Sequence, residues 1–231
     1  MKSEKSFFTG SHDPADYFRS WAFNAKYLKE NPDYFDPDGI WVFCGSQGQG
    51  KTLSAVQTVL ELHKAYPKAI ICSNLELKGV ETIPFTDYSQ IMELNNGVAG
   101  VIFLIDEIQS IWNCMESRDI PQDELATLCM NRKARRVVIG TSQVYGRVAK
   151  SIREQYKYVV LCKRVLKYIQ INSLINPCPE GYTREDDGHF EGELIKTCIF
   201  FHSPEAYQAY DTLYKVPRPG REKKILKGGF F

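Results

Sequence analysis

Gly45-Ser46-Gln47-Gly48-Gln49-Gly50-Lys51-Thr52 satisfies every fixed position of the phosphate-binding pattern G-x-x-x-x-G-K-[ST]. Its glycines let the backbone curl so that successive N–H groups point at phosphate oxygens. Lys51 is placed to set a cation on the β- and γ-phosphates, and the Thr52 hydroxyl to hold magnesium. A second pair, Asp106-Glu107, follows the apolar run Val101-Ile102-Phe103-Leu104-Ile105. There Asp106 would attract magnesium and accept hydrogen bonds from its bound water, while Glu107 would orient or deprotonate an attacking water. A glycine-rich turn can match by chance, and an Asp-Glu pair can merely cap a helix. The two in this order, some fifty residues apart, favour ATP and Mg2+ chemistry. On this reading Gly45 to Leu53 form the nucleotide contact, Lys51 and Glu107 act in catalysis, and Thr52 and Asp106 serve the metal.

Such a site needs strands to carry it. Ile40–Cys44 reads as a short buried strand, and Thr52 to Ala65 as a helix with Leu53, Val56, Leu60 and His63 along one side. The phosphates would then sit at a helix N-terminus, where unpaired N–H groups favour negative charge. The continuous apolar run 101–105 predicts a strand buried on both faces, with its carboxylates at the C-terminal edge where open α/β sheets bind ligands. Further strands are expected at Ala69–Ser73 and Arg136–Gly140, and helices near Tyr88–Leu94 and Pro121–Lys133. This alternation predicts an α/β fold with a mostly parallel, doubly wound sheet. Beyond it, Tyr158–Cys162, Tyr168–Ser173 and Leu194–His202 predict an antiparallel C-terminal extension, with turns at Asn176-Pro177 and Asp186-Asp187-Gly188. A short helix is expected over Tyr207–Leu213. The layout is thus an N-terminal arm (1–38) whose helix, Pro14 to Tyr27, packs its aromatic residues on the core; a nucleotide-binding core (39–160); the extension (161–214) in the same domain; and a basic, flexible tail (215–231).

The strand at 136–140 runs into Thr141-Ser142-Gln143. A polar residue at that tip can reach the γ-phosphate or its attacking water, and Gln143 is the expected sensor; the competing role is a cap on the next helix. Val144 to Tyr158 predicts that helix, with Arg147, Lys150, Arg153 and Lys157 at spacings of three and four. Arg153, then Arg147, then Arg132 are the candidates for an arginine reaching into a neighbouring subunit's site. The same residues suit contacts to DNA phosphates, or a solvated stripe.

A net charge of +1 over 231 residues conceals segregation. Residues 81–128 hold nine acids and one base, whereas 131–170 hold eleven Lys/Arg and one acid. The basic block is the footprint a polyanion such as DNA requires, and the basic tail 215–231 is expected as a further nucleic-acid or partner arm. Seven scattered cysteines without a C-x-x-C pair, and four histidines without metal spacing, exclude a zinc site and a disulfide framework; they indicate reduced core thiols. No apolar run approaches the ~20 residues of a membrane span, and no signal peptide opens the chain.

The order of these motifs resembles the zonular occludens toxin–like ATPases, which include the assembly ATPases of filamentous phages and lie near the FtsK/HerA group of DNA-pumping P-loop enzymes. Four features over roughly 40–160 carry the resemblance: Gly45–Thr52; the strand and Asn of Ile70-Ile71-Cys72-Ser73-Asn74; Ile105-Asp106-Glu107-Ile108-Gln109; and the segment from Leu125 through Thr141-Ser142-Gln143 to Arg153. It implies an oligomeric, magnesium-dependent ATPase for phage or mobile-element assembly, DNA translocation or packaging. Such an enzyme would work in a bacterial host cytoplasm and reach the inner membrane through an anchored or virion partner. Filamentous-phage members carry a membrane span after the ATPase domain, and none is found here; short packaging ATPases of membrane-containing viruses share the length. Two other readings stay open, a non-hydrolysing nucleotide-gated assembly adaptor and a small-molecule kinase.

Overall fold

A computed structural model describes residues 14–87, 89–112, 130–177, 184–186, 189–202 and 204–211. The chain divides into two units, Met1–Tyr34 and Phe35–Phe231. In the first, helix α1 spans Pro14–Glu30, with Asp16 in its first turn and Lys29 in its last, signs that complement the helix dipole. Asp16 also accepts from Arg19 one turn on, at 2.8 Å. The helix buries none of its side chains, and Tyr17, Phe18, Trp21 and Phe23 are exposed. Tyr27 meets Tyr34 edge-on.

The second unit is an eight-stranded sheet. In chain order it holds β1 (Gly39–Cys44), α2 (Lys51–Ala65), β2 (Ile70–Ser73), β3 (Thr82–Pro84), α3 (Ser89–Glu93), β4 (Val101–Ile105), β5 (Arg136–Ser142), α4 (Lys150–Arg153), β6 (Tyr156–Val165), β7 (Ile169–Asn176), β10 (Glu193–Phe201) and α5 (Pro204–Gln208), with a separate hairpin of β8 (Arg184–Asp186) and β9 (His189–Glu191). The strand order is β10-β7-β6-β1-β5-β4-β2-β3. From β6 to β3 every pairing is parallel, and β7 and β10 add antiparallel strands beyond β6. This is the expected α/β architecture, with β3 as an addition the sequence reading lacked.

Apolar composition explains the layering. All five side chains of β4 and all seven residues of β5 are buried, as strands covered on both faces require. On one face α2 packs Leu53, Val56 and Val59 against Phe43, Ile71, Ile102, Leu104 and Ile139. On the other, Ile91, Ile108, Trp112, Val148 and Ile152 cover Val42, Phe103, Ile105 and Val138. The sheet is therefore wound on both sides. In the parallel part the C-terminal ends of β1, β4, β5 and β6 share one edge, and β5 lies between β1 and β4.

One expectation is corrected. Val144 to Tyr158 is not a continuous helix: a 3-10 turn at Tyr145–Arg147 leads to the four-residue α4, and β6 begins at Tyr156. The helical spacing was carried by charged residues, which do not decide an element. The aromatic and β-branched run Tyr156-Lys157-Tyr158-Val159-Val160 has strand preference, and pairing with β1 claims it. β6 thereby crosses the expected boundary at 160. The expected helix 121–133 lies outside the described residues as far as 129; residues 130–135 form a turn. The tail 215–231 lies outside them as well.

Candidate nucleotide site

Residues 45–50 bridge the end of β1 and the start of α2. Gly48 and Gly50 hold φ of 78° and 77°, the left-handed region that suits glycine. At Gly50 a second demand is steric, because a Cβ there would lie 2.1 Å from Gln170 Oε1. The loop is internally tied: Gln49 N–H donates to Ser46 O at 3.3 Å, and Lys51 Nζ donates to the same carbonyl at 2.9 Å. Lys51 is thus already folded back over the loop that a phosphate would fill.

One flank is acidic. Asp106 and Glu107 follow β4, and Asp106 Oδ1 accepts from Thr52 Oγ1 at 2.9 Å and from Thr141 Oγ1 at 2.7 Å. The Thr141 hydroxyl in turn accepts from Glu107 N–H at 2.9 Å. Asn74, at the end of β2, clamps the Asp106 backbone from both sides: Asn74 Nδ2 donates to Asp106 O at 3.0 Å, and Asp106 N–H donates to Asn74 Oδ1 at 2.8 Å. Glu107 sits in the left-handed region with φ 54°, costing about 1 kcal/mol for a residue with a Cβ. That conformation turns its exposed carboxylate toward β5, where Gln143 Nε2 donates to Glu107 Oε1 at 3.2 Å. β5, inserted between β1 and β4, thus brings Thr141 to Asp106 and Gln143 to Glu107, while Thr52 meets Asp106 directly.

The structure therefore brings Lys51, Thr52, Asp106, Glu107 and Gln143 to one edge. Thr52 and Asp106 present adjacent hard oxygens that suit magnesium, which keeps phosphate oxygens and waters in its other positions. Among the described residues no group of three His, Cys, Asp or Glu could hold a metal without such help. Magnesium bound there would neutralise phosphate charge.

The arginines part company. Arg147 and Arg132 are exposed. Arg153 is only 8% exposed; its Nη1 donates to Gly146 O at 2.9 Å and Val148 O at 2.7 Å, and its guanidinium lies over the Tyr145 ring. The basic block is likewise dispersed. Arg132, Lys133 and Arg135 occupy the turn before β5, at the sheet edge opposite the loop. Arg136 is buried, and burial lowers its pKa. Lys157 pairs with Asp38. Arg164 and Lys167 lie at the loop edge, at and beyond the end of β6.

The second flank was not anticipated from sequence. Gln170 of β7 is fully buried, at 0% exposure; its Nε2 donates to Gln49 O at 3.0 Å and to Asn172 Oδ1 at 2.9 Å. Ser54 Oγ reaches the same Asn172 oxygen at 3.3 Å. Gln170 Oε1 meets His202 Nε2 at 3.1 Å, and His202 Nδ1 meets the Tyr207 hydroxyl. Since Gln170 oxygen can only accept, His202 carries its proton on Nε2. Arg164 N–H donates to Gln49 Oε1 at 2.9 Å. A signal existed: Gln170 and Asn172 alternate with Ile169 and Ile171, a period-two pattern whose polar side faces in. Cys44, Cys72 and Cys162 are free and buried, and burial pushes each thiol up to about 12. These three are inert core residues, as expected; Cys198 is exposed and so departs from the expected core placement, and Cys114, Cys129 and Cys178 lie outside the described residues.

The sequence matches no protein-family model and no curated protein. Solved structures do match. The N-terminal domain of zonular occludens toxin from Neisseria meningitidis aligns at 15% identity and TM-score 0.54, over 75% of this chain and 98% of that domain. The genome packaging NTPase B204 of Sulfolobus turreted icosahedral virus 2, bound to ATP-gammaS, aligns at 12% identity and TM-score 0.46, over 59% and 92% of the two chains. B204 of Sulfolobus turreted icosahedral virus, a DNA-packaging ATPase, aligns at 14% identity and TM-score 0.40, over 60% and 93%. The chain shares the fold of that zonular occludens toxin domain. Among the described residues no helix is long and apolar enough to cross a membrane.

Proposed function

We propose that this chain is a magnesium-dependent ATPase that acts as an oligomeric motor in phage or mobile-element assembly, moving or packaging DNA. The observation that carries the hydrolytic part is the convergence on one edge of Thr52 and Thr141 on Asp106, and of Gln143 on Glu107. A site that only bound nucleotide would have no use for a carboxylate poised beyond the phosphates and held in a strained backbone. In the reaction, Lys51 releases Ser46 O and takes the β- and γ-phosphates together with the loop N–H groups from Gly45 to Leu53. Thr52 and Asp106 would hold magnesium, which would neutralise charge on the phosphates. Glu107 accepts a proton from the attacking water, and Gln143 reports the γ-phosphate by exchanging its bond to Glu107 for one to phosphate or water. Arg147, exposed just beyond Gln143, is the arginine available to a neighbouring subunit's site; Arg153 serves by fixing the turn that presents it.

The motor reading is supported by the motif order shared with the zonular occludens toxin–like ATPases. Such a motor works in the host cytoplasm and meets the inner membrane or virion through a partner.

ATP turnover of the purified chain, with and without single- and double-stranded DNA at two salt concentrations, tests this. We expect DNA to stimulate turnover and salt to weaken the stimulation. Glu107→Gln should lower turnover at least ~100-fold while ATP-gammaS binding persists. Wild-type protein that binds ATP but never hydrolyses it would replace the motor with a nucleotide-gated adaptor.

A further inference from the structure

The loop has a cation on the flank away from the acids. Arg164 lies near the C-terminal end of β6, which runs parallel to β1 and so ends at the loop edge. In the antiparallel pairing of β6 with β7, Arg164 stands opposite Gln170, and directly opposed residues project to the same face. Gln170 points at the loop, since its amide contacts Gln49 O. Arg164 points there too: its Nη2 lies 3.7 Å from the position a Cβ on Gly48 would occupy. The neighbours Lys163 and Val165 pair with Ile171 and Ile169 and fall on the other face.

Three further facts define what this guanidinium can do. Its side chain is exposed, and among the described residues it has no salt bridge. Its backbone is pinned, because Arg164 N–H donates to Gln49 Oε1, so the side chain leaves from a fixed point beside the loop. Its charge reaches His202: after burial, it is a cause of that residue's lowered pKa. An arginine held at a phosphate loop, with no acid among the described residues to answer it, suits an anion, and its planar fork matches phosphate oxygens.

We propose that Arg164 is a phosphate-binding residue of the same subunit's nucleotide site, gripping the β- and γ-phosphates from the flank opposite Asp106 and Glu107. This rests on the loop being a nucleotide site. Lys51 then grips from within the loop and Arg164 from its rim at Gly48, while the metal pair faces them across the phosphates. The residue differs in kind from Arg147, which would act on a neighbour.

Calorimetric titration of the full chain with ATP-gammaS, ADP and AMP, in magnesium, tests the proposal on wild type, Lys51→Ala, Arg164→Ala and Arg164→Lys. Arg164→Ala should weaken ATP-gammaS and ADP by about 10- to 100-fold and AMP by less than about 3-fold, with an unchanged melting temperature because the bond to Gln49 uses the main chain. Arg164→Lys should fall between, keeping the charge without the fork. Unchanged affinity for ATP-gammaS and ADP in Arg164→Ala, in a protein whose wild type binds both, overturns the proposal. Equal weakening of all three nucleotides also overturns it, by placing the side chain against the nucleoside. A wild type that binds none of them, or a Lys51→Ala variant that binds as well as wild type, sinks the nucleotide-site reading itself.

Discussion

The two flanks of the phosphate loop are built from different materials. On the β4–β5 side the reactive groups are the Asp106 and Glu107 carboxylates and the Gln143 amide at strand tips, half-buried at Asp106 and Gln143 and exposed at Glu107, with Thr141 and Asn74 buried behind them. On the β6–β7 side the supports are neutral amides in mid-strand, buried at Gln170 and Asn172. The contrast follows from what each side must do. Groups that exchange partners during a reaction have to remain reachable, and a buried charge without a partner is costly. A support that must never move is better made of amides, which satisfy one another in a closed network and carry no charge to desolvate. Moving parts face solvent, and the fixed frame is in the core.

The largest expected effect comes from the reactive flank. Lys51→Ala should reduce ATP turnover at least ~100-fold, while stability by chemical denaturation changes by less than about 0.5 kcal/mol, because Lys51 holds only a loop carbonyl. Turnover near the wild-type level in that variant would remove the distinction between the flanks, along with the mechanism.

The supporting flank should behave the other way. Gln170→Ala deletes the donor to Gln49 O and Asn172 Oδ1 and the acceptor for His202. A loss of about 1–3 kcal/mol in unfolding free energy is expected, with turnover impaired only as the loop loosens. Gly50→Ala should also destabilise, through its positive φ and its clash with Gln170 Oε1. Combining the two should cost less than the sum, since the alanine at 170 vacates the space the new Cβ needs. Strict additivity in that cycle would show that the close approach of Gln170 to Gly50 has no energetic weight.

The same contrast explains what could be read before the fold was known. Lys51, Thr52, Asp106 and Glu107 were legible because the chemistry demands fixed residue types in short local patterns, and the fully apolar β4 could be only a buried strand. Gln170 and Asn172 obey no such pattern. Their buried polar face reverses the usual alternation, and what buries them is a loop more than a hundred residues away in sequence. Asn74 and Thr141 were visible as residues of a shared motif, but their roles appear only when β2, β4 and β5 are set side by side. The segment 144–158 misled for a related reason. Its evenly spaced arginines and lysines imitate a helix surface, whereas Arg153 is turned inward to carbonyls and Lys157 lies on a strand.

The smallest expected effect concerns His202, at the solvent end of the amide network. Burial, and next the charge of Arg164, lower its pKa from the ordinary 6.5. The folded state therefore binds a proton less readily than the unfolded state does. Between the lowered folded value and 6.5 the unfolded chain holds more protons, so stability rises with pH across that window. The contribution is fully present above pH 6.5 and is lost as pH falls through the folded value. His202→Gln, whose amide can still donate to Gln170 Oε1, should flatten the stability profile below pH 6.5 and leave it unchanged at pH 8. Denaturant midpoints measured at half-unit pH steps check this. Arg164→Ala should flatten the profile in part, because it removes one of the two causes of the shift while sparing the other. A profile that kept its full slope in both variants would mean that His202 does not sense the loop's flank, and that the network ends at Gln170.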